Sequence, residues 1–309
     1  MIDILLQTLP FFALIGLGWA AGQRGLFPAS ASDGLSRFVL YFALSALLVR
    51  LTAQMPISEL FDPWVMLAYL TGCFMVHALV LVTSRSRGAP LDEAAMEAHV
   101  AIVGNTGFLG VPLLIGVLGD HVAATVLLLL LIDMILFNII LTLLITRARG
   151  ARLDPASLGG MARELGRNPI IMSSCLGVGW SLSGIGMAAP IDDFLALLGS
   201  AATPGALFLI GASLAGRALD RVAVAGWLSL AKLVLHPLAM ALSVFVLFPI
   251  DPPVAAVMVA TSALPVAGNT YILARHYAVA PRRVSTAILI STAASIVTLT
   301  GVITWATGY

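Results

Sequence analysis

One lysine, Lys232, and two cysteines, Cys73 and Cys175, stand in 309 residues, and charged side chains make up only 10% of the chain. Soluble proteins carry roughly 25% charged residues, so this scarcity excludes an ordinary water-facing surface. The cysteines match no disulfide or metal spacing, which excludes a disulfide scaffold and a thiolate zinc site. The His-Glu-x-x-His pattern of helical zinc proteases is absent as well. The net charge of +1 points to no acidic or basic partner.

What the chain has in quantity is apolar surface. It is 60% hydrophobic with a mean hydropathy of +1.04, and long apolar runs recur from end to end. Barrel strands would alternate at every second residue, whereas these runs are continuous, so the fold class is an all-α membrane protein. Ten spans are predicted. The first five run near Ile4–Ala21, Gly34–Leu51, Pro63–Thr83, Ala94–Leu118 and Val122–Thr146. The second five run near Pro169–Ile185, Phe194–Ala215, Val222–Phe248, Pro253–Tyr277 and Val284–Thr307. Each has the roughly 17–25 residues that a hydrocarbon core of about 30 Å requires. The first segment starts with Asp3 rather than a basic region and shows no clear cleavage site, so it reads as a retained span.

The arginines orient the spans. Arg24, Arg37, Arg85, Arg87, Arg147, Arg149, Arg152, Arg163, Arg167, Arg217, Arg221, Arg275, Arg282 and Arg283 all fall on the odd-loop side. The even loops carry Glu59, Asp62, Asp120, Asp192, Asp193 and Asp251, and only Arg50 lies on their side. By the positive-inside rule the odd loops are cytoplasmic and both termini are non-cytoplasmic, as for an inner-membrane protein. The arginine-rich linker then reads as a retention signal facing anionic lipid, not as a nucleic-acid patch.

That linker, residues 147–168, divides the chain into two sets of five spans, 1–146 and 169–309. Five is odd, so if the halves are repeats the second is inverted. The fourth span of each set is interrupted. Gly104, Asn105, Thr106, Gly107, Gly110 and Pro112 sit in one, and Pro265, Gly268, Asn269 and Thr270 in the other. These residue types are poor helix formers, and in hydrocarbon a freed peptide group has no water to bond. Paired interrupted segments at corresponding places point to the binding site of a transporter. The bland alternative is a pair of kinked helices packed through small residues.

The residues also resemble the auxin efflux carrier family, which includes plant PIN proteins and bacterial carriers of small organic acids. The likeness rests on LSRFVLYFALSALLVRLTA in the second span, NTGFLGVPLL in the fourth and NPIIMSSCLGVGWSLSGIG in the sixth. TPGALFLIGASLAG, KLVLHP and the ALP of the ninth span continue it in the expected order. The resemblance implies a fold shared with bile-acid/sodium symporters, with two inverted five-helix repeats and crossover helices at spans four and nine. It further implies a dimeric scaffold of spans one, two, six and seven, and an elevator motion of the rest. Plant members place a second proline where this chain has Gly268-Asn269-Thr270, and they carry a long central loop. The bacterial branch, associated with malate- or malonate-like acids, is therefore the nearer comparison.

Half-helix N-termini at such breaks offer N–H groups and partial positive charge to an anion. Asn105, Thr106, Gly107 and Pro112, with Pro265, Gly268, Asn269 and Thr270, are the candidate substrate-binding residues. The alternative for the asparagines is a structural hydrogen bond between helices. Lys232, His236, Asp133 and His77 are ionisable groups inside spans, hence candidates for charge compensation or for coupling to Na+ or H+. Lys232 could snorkel, neutralise an anion or pair with Asp133; Asp133 could also bond Asn138. The histidines could relay protons or be structural, whereas Glu97 and His99 read as mouth residues. No cofactor and no metal are called for. An enzyme would have to be built from Ser213 and His236, and the glycine–serine nucleophile pattern fails after Ser213. A channel would need a continuous polar stripe, whereas polar residues here cluster at two breaks.

Overall fold

A computed structural model describes residues 2–55, 62–150, 159–160, 163, 166–216, 219–306 and 308. Glu59, Arg152, Arg217 and much of the predicted linker lie outside the described residues. The described chain is mostly helical and contains no strands beyond one isolated bridge. Six helices are long and apolar enough to cross a membrane, and four shorter apolar helices accompany them.

In chain order the helices are α1 (Ile2–Gln23), α2 (Ser30–Ala53), α3 (Pro63–Ser86), α4a (Leu91–Val100) and α4b (Thr106–Leu118). There follow α5 (Asp120–Ala148), α6 (Pro169–Leu182), α7 (Ala189–Leu214) and α8 (Val222–Leu247). The chain ends with α9a (Pro252–Ser262), α9b (Asn269–His276) and α10 (Pro281–Ala306). The predicted spans fall on these helices or on an interrupted pair, and six of the helices have the length and apolarity to cross a membrane. Sharp starts have local causes. Asp62 accepts hydrogen bonds from the N–H groups of Trp64 and Val65, and Pro63 occupies the first helical position. Asn168 and Pro169 open α6 in the same way.

Two close helix contacts tie α1 to α7 and α2 to α6. A Cβ on Gly211 would stand 1.8 Å from the Ile15 carbonyl oxygen, and one on Gly18 would stand 2.0 Å from that of Phe208. Gly177 meets Thr52 as tightly, at 1.9 Å from its hydroxyl. Such spacing lets backbones approach where lipid gives no hydrophobic drive for helices to associate. Helices α3, α4a, α8 and α10 share a second apolar core around Tyr69, Met96, Met240 and Ala287.

One expectation is corrected. Glu97 and His99 are not mouth residues: they are 2% and 1% exposed. Glu97 sits one turn before the C-terminal end of α4a, where it takes Arg283 of α10 at 2.5 Å and Arg87 beyond α3 at 2.5 Å, and bonds Ser84. Arg283 also pairs with Glu93 at 3.0 Å, one helical turn from Glu97. Buried charges persist when paired this way, and the cluster binds α3, α4a and α10 together.

Candidate functional site at the helix crossing

The two interrupted spans meet at their breaks. The Asn105 N–H donates to the Pro265 carbonyl at 2.8 Å, and the Ala267 N–H donates to the Val103 carbonyl at 3.1 Å. Between them Gly104 and Val266 form an isolated antiparallel bridge. Pro265 explains one break: it has no N–H and pushes Leu264 out of helical conformation. At the other break Gly104 allows the close approach, because a Cβ there would stand 3.3 Å from Lys232 Nζ and 3.3 Å from Leu264 Cβ. The remaining freed groups are met locally. Ser291 Oγ accepts the Val266 N–H at 3.1 Å, and the Asn105 carbonyl accepts from Leu109 and Gly110.

Beside the crossing lies a cavity of about 610 Å³. Asn105, Gly107, Gly268 and Asn269 line one side of it, and residues of α2, α6 and α7 line the other. Asn105 is 5% exposed, yet its side-chain amide makes no hydrogen bond among the described residues. Asn269 Oδ1 is buried without a partner, and its Nδ2 meets only Met134 Sδ at 3.6 Å. Two amides with spare donors and acceptors thus share one cavity with the N-terminal ends of α4b and α9b.

The other predicted site residues have different places. Thr270 donates to the Ala267 carbonyl at 2.6 Å and Thr106 reaches toward Gly104 O, so both hydroxyls turn into their own breaks. Pro265 gives its carbonyl to Asn105, and Pro112 sits in the first turns of α4b; neither lines the cavity. Asp133, Lys232, His236 and His77 do not line it either.

Three of those ionisable groups form a buried layer just behind Gly104. Lys232 is 0% exposed and does not snorkel; its ammonium donates to the Ser262 carbonyl at 2.5 Å and lies 3.1 Å from His236 Nδ1. The end of α9a, with its exposed carbonyls, thus receives a cation, as the helix dipole favours. His236 Nε2 continues the chain to Cys73 Sγ at 3.2 Å. Tyr69 donates to Asp133 Oδ1 at 2.8 Å, whereas Asp133 Oδ2 has no partner among the described residues. Asp133 and Lys232 are not within ion-pair distance, and Asn138 donates to the Met134 carbonyl instead of to Asp133. Both charged groups sit in π-helical turns, Asp133–Phe137 and Ala231–Leu235, a local widening frequent at functional sites. His77 packs against Phe74 and Phe137, apart from this layer.

Sequence reasoning missed the opposite wall. Ser32 and Asp33 at the start of α2, and Arg167 and Asn168 at the start of α6, line the cavity from the odd-loop side. The signal available is an arginine directly before the Asn-Pro helix start, which sequence reasoning groups with the linker arginines.

A polytopic helical bundle with a largely apolar cavity, carrying a few polar side chains where two broken helices cross, has the build of a membrane transporter. The chain belongs to the family described as Membrane transport protein, which it matches over residues 3–303. It is 32% identical over 306 residues to a Rhizobium meliloti (strain 1021) protein named "Putative malonate transporter", covering 98% of this chain and 96% of that one. It is 26% identical over 299 residues to the Escherichia coli (strain K12) protein named "Uncharacterized transporter YfdV", covering 94% of each. The likeness to auxin efflux carriers read from the sequence agrees with this family. The protein is a multi-pass membrane transporter, not an enzyme.

Proposed function

We propose that the protein carries a small organic anion, a carboxylate such as a malate- or malonate-like or auxin-like acid, in the cavity at the crossing. The observation that carries this reading is Asn105: a buried amide without a protein partner, held in place by its own backbone bond to Pro265 and facing a cavity. Asn269 supplies a second amide, and the starts of α4b and α9b supply positive dipole ends. The name of the Rhizobium relative supports a short acid as cargo.

In this reading the ten helices form two inverted five-helix repeats, residues 1–146 and 169–309, joined by a cytoplasmic linker, 147–168. Helices α1, α2, α6 and α7, locked by glycine contacts, are a scaffold that pairs as a homodimer in the inner membrane. The remaining helices move past it as an elevator, with both termini non-cytoplasmic and the cavity reaching the cytoplasmic side. Asp133, with one free carboxylate oxygen, serves H+ or Na+ coupling, and Lys232 with His236 compensates charge at the end of α9a. Neither cofactor nor nucleic acid takes part.

The test is a thermal-shift series on purified protein with mono- and dicarboxylates, indole-3-acetate and bile acids, with and without sodium. A ligand that binds only the native state raises the melting temperature by mass action. A shift with a carboxylate that is lost in Asn105→Ala and Asn269→Ala is expected. Shifts only with neutral or cationic solutes would overturn the anion reading.

A further inference from the structure

We infer that Arg167 forms a second carboxylate subsite, so that the cargo is a short dicarboxylate; this rests on the anion-carrier reading above. Arg167 is exposed, lines the cavity and makes no ion pair or hydrogen bond among the described residues. Among the described lining residues it is the one cation, and Asp33 is the one anion.

Its place is fixed by the helix start that follows it. Asn168 Oδ1 accepts the Ile170 N–H at 2.9 Å, which holds the backbone beside Arg167. Ile170 Cδ1 lies 3.8 Å from where a Cβ on Gly107 would stand. The start of α6 therefore abuts the turn that begins with Asn105, and Arg167 and Asn105 share one cavity from facing elements.

The chemistry separates two kinds of acid. A monocarboxylate held by Asn105 and Asn269 leaves an apolar tail, which suits Leu130, Ile170 and Leu209 in the same lining. A dicarboxylate leaves a second charge, costly to bury without a partner. The planar guanidinium offers donors in a fork that matches a carboxylate, and charge-assisted pairs of this kind are the strong ones. Asp33 at the same mouth repels that second charge and so moderates affinity.

The experiment titrates full-length protein with malonate and with propionate, reading affinity by calorimetry and fold by the ligand-free melting temperature. In Arg167→Gln the ratio of malonate to propionate affinity is expected to fall about ten- to hundredfold. Arg167→Lys should recover part of it, and Asp33→Asn should raise it above wild type. An unchanged ratio in Arg167→Gln overturns the subsite, as does a wild type that prefers propionate. In either case Asn105-dependent propionate binding leaves the anion-carrier reading standing. If neither acid binds, that reading falls and the subsite falls with it.

Discussion

Lys232 reaches from α8 to the Ser262 carbonyl at the end of α9a, and its ammonium lies where Gly104 has no side chain. The cation thus touches both broken spans, one through a carbonyl and the other through a missing Cβ. This contact makes Gly104 a test of the crossing. In Gly104→Ala the new methyl would stand 3.3 Å from Lys232 Nζ and from Leu264 Cβ, neither free to retreat. A loss of about 1–3 kcal/mol is expected, as for overpacked cores. Thermal unfolding in detergent reads it. Gly107→Ala, whose methyl would meet nothing closer than 3.6 Å, is the stability control.

The buried charge cluster gives a second prediction. Glu97→Gln leaves Arg283, 5% exposed, with Glu93 alone, and it strips Arg87 of its carboxylate. Breaking a buried pair costs about 3–5 kcal/mol, and the remaining Glu93 places this variant at the low end. The double variant Glu97→Gln with Arg283→Gln should be less harmful than the sum of the single ones. Additive melting shifts would show that the pair is not coupled.

Gly211 tests the contact of α1 with α7. A methyl there would lie 1.8 Å from the Ile15 carbonyl oxygen, so Gly211→Ala forces the helices apart. A loss of about 1–3 kcal/mol or more is expected, with lower yield of folded protein. Gly16→Ala, on α1 beside Ile15, meets nothing within 4 Å and should be near neutral by the same melting assay.

Asp133 tests coupling. Asp133→Asn keeps the shape and a hydrogen bond with Tyr69 while removing the charge. Anion uptake into proteoliposomes should then lose its dependence on a pH or sodium gradient. Retained dependence would clear Asp133 of that role.

The helices and both breaks were legible because their causes are local: apolar length, Pro265 and the glycines around Asn105. The pairing of Glu97 was not. A carboxylate one turn from a loop reads as solvated, and its partner Arg283 stands 186 positions away. That the hydroxyls of Thr106 and Thr270 turn toward backbone carbonyls of their own breaks is a matter of rotamer, which residue type alone does not give. The π-helical turns at Asp133 and Lys232 leave no mark on periodicity. The far wall of the cavity was hidden because it comes from the starts of α2 and α6, which only the tertiary fold brings beside Asn105.

At the crossing, Val103, Asn105, Pro265 and Ala267 spend their peptide groups on one another. On the anion-carrier reading, cargo would meet the lining side chains and the helix starts around an already settled frame. Relatives could then exchange one cargo for another by altering a few lining residues, without rebuilding the break. In a carrier built this way, a change in the cavity wall would alter the cargo while leaving the bonds between the two spans intact.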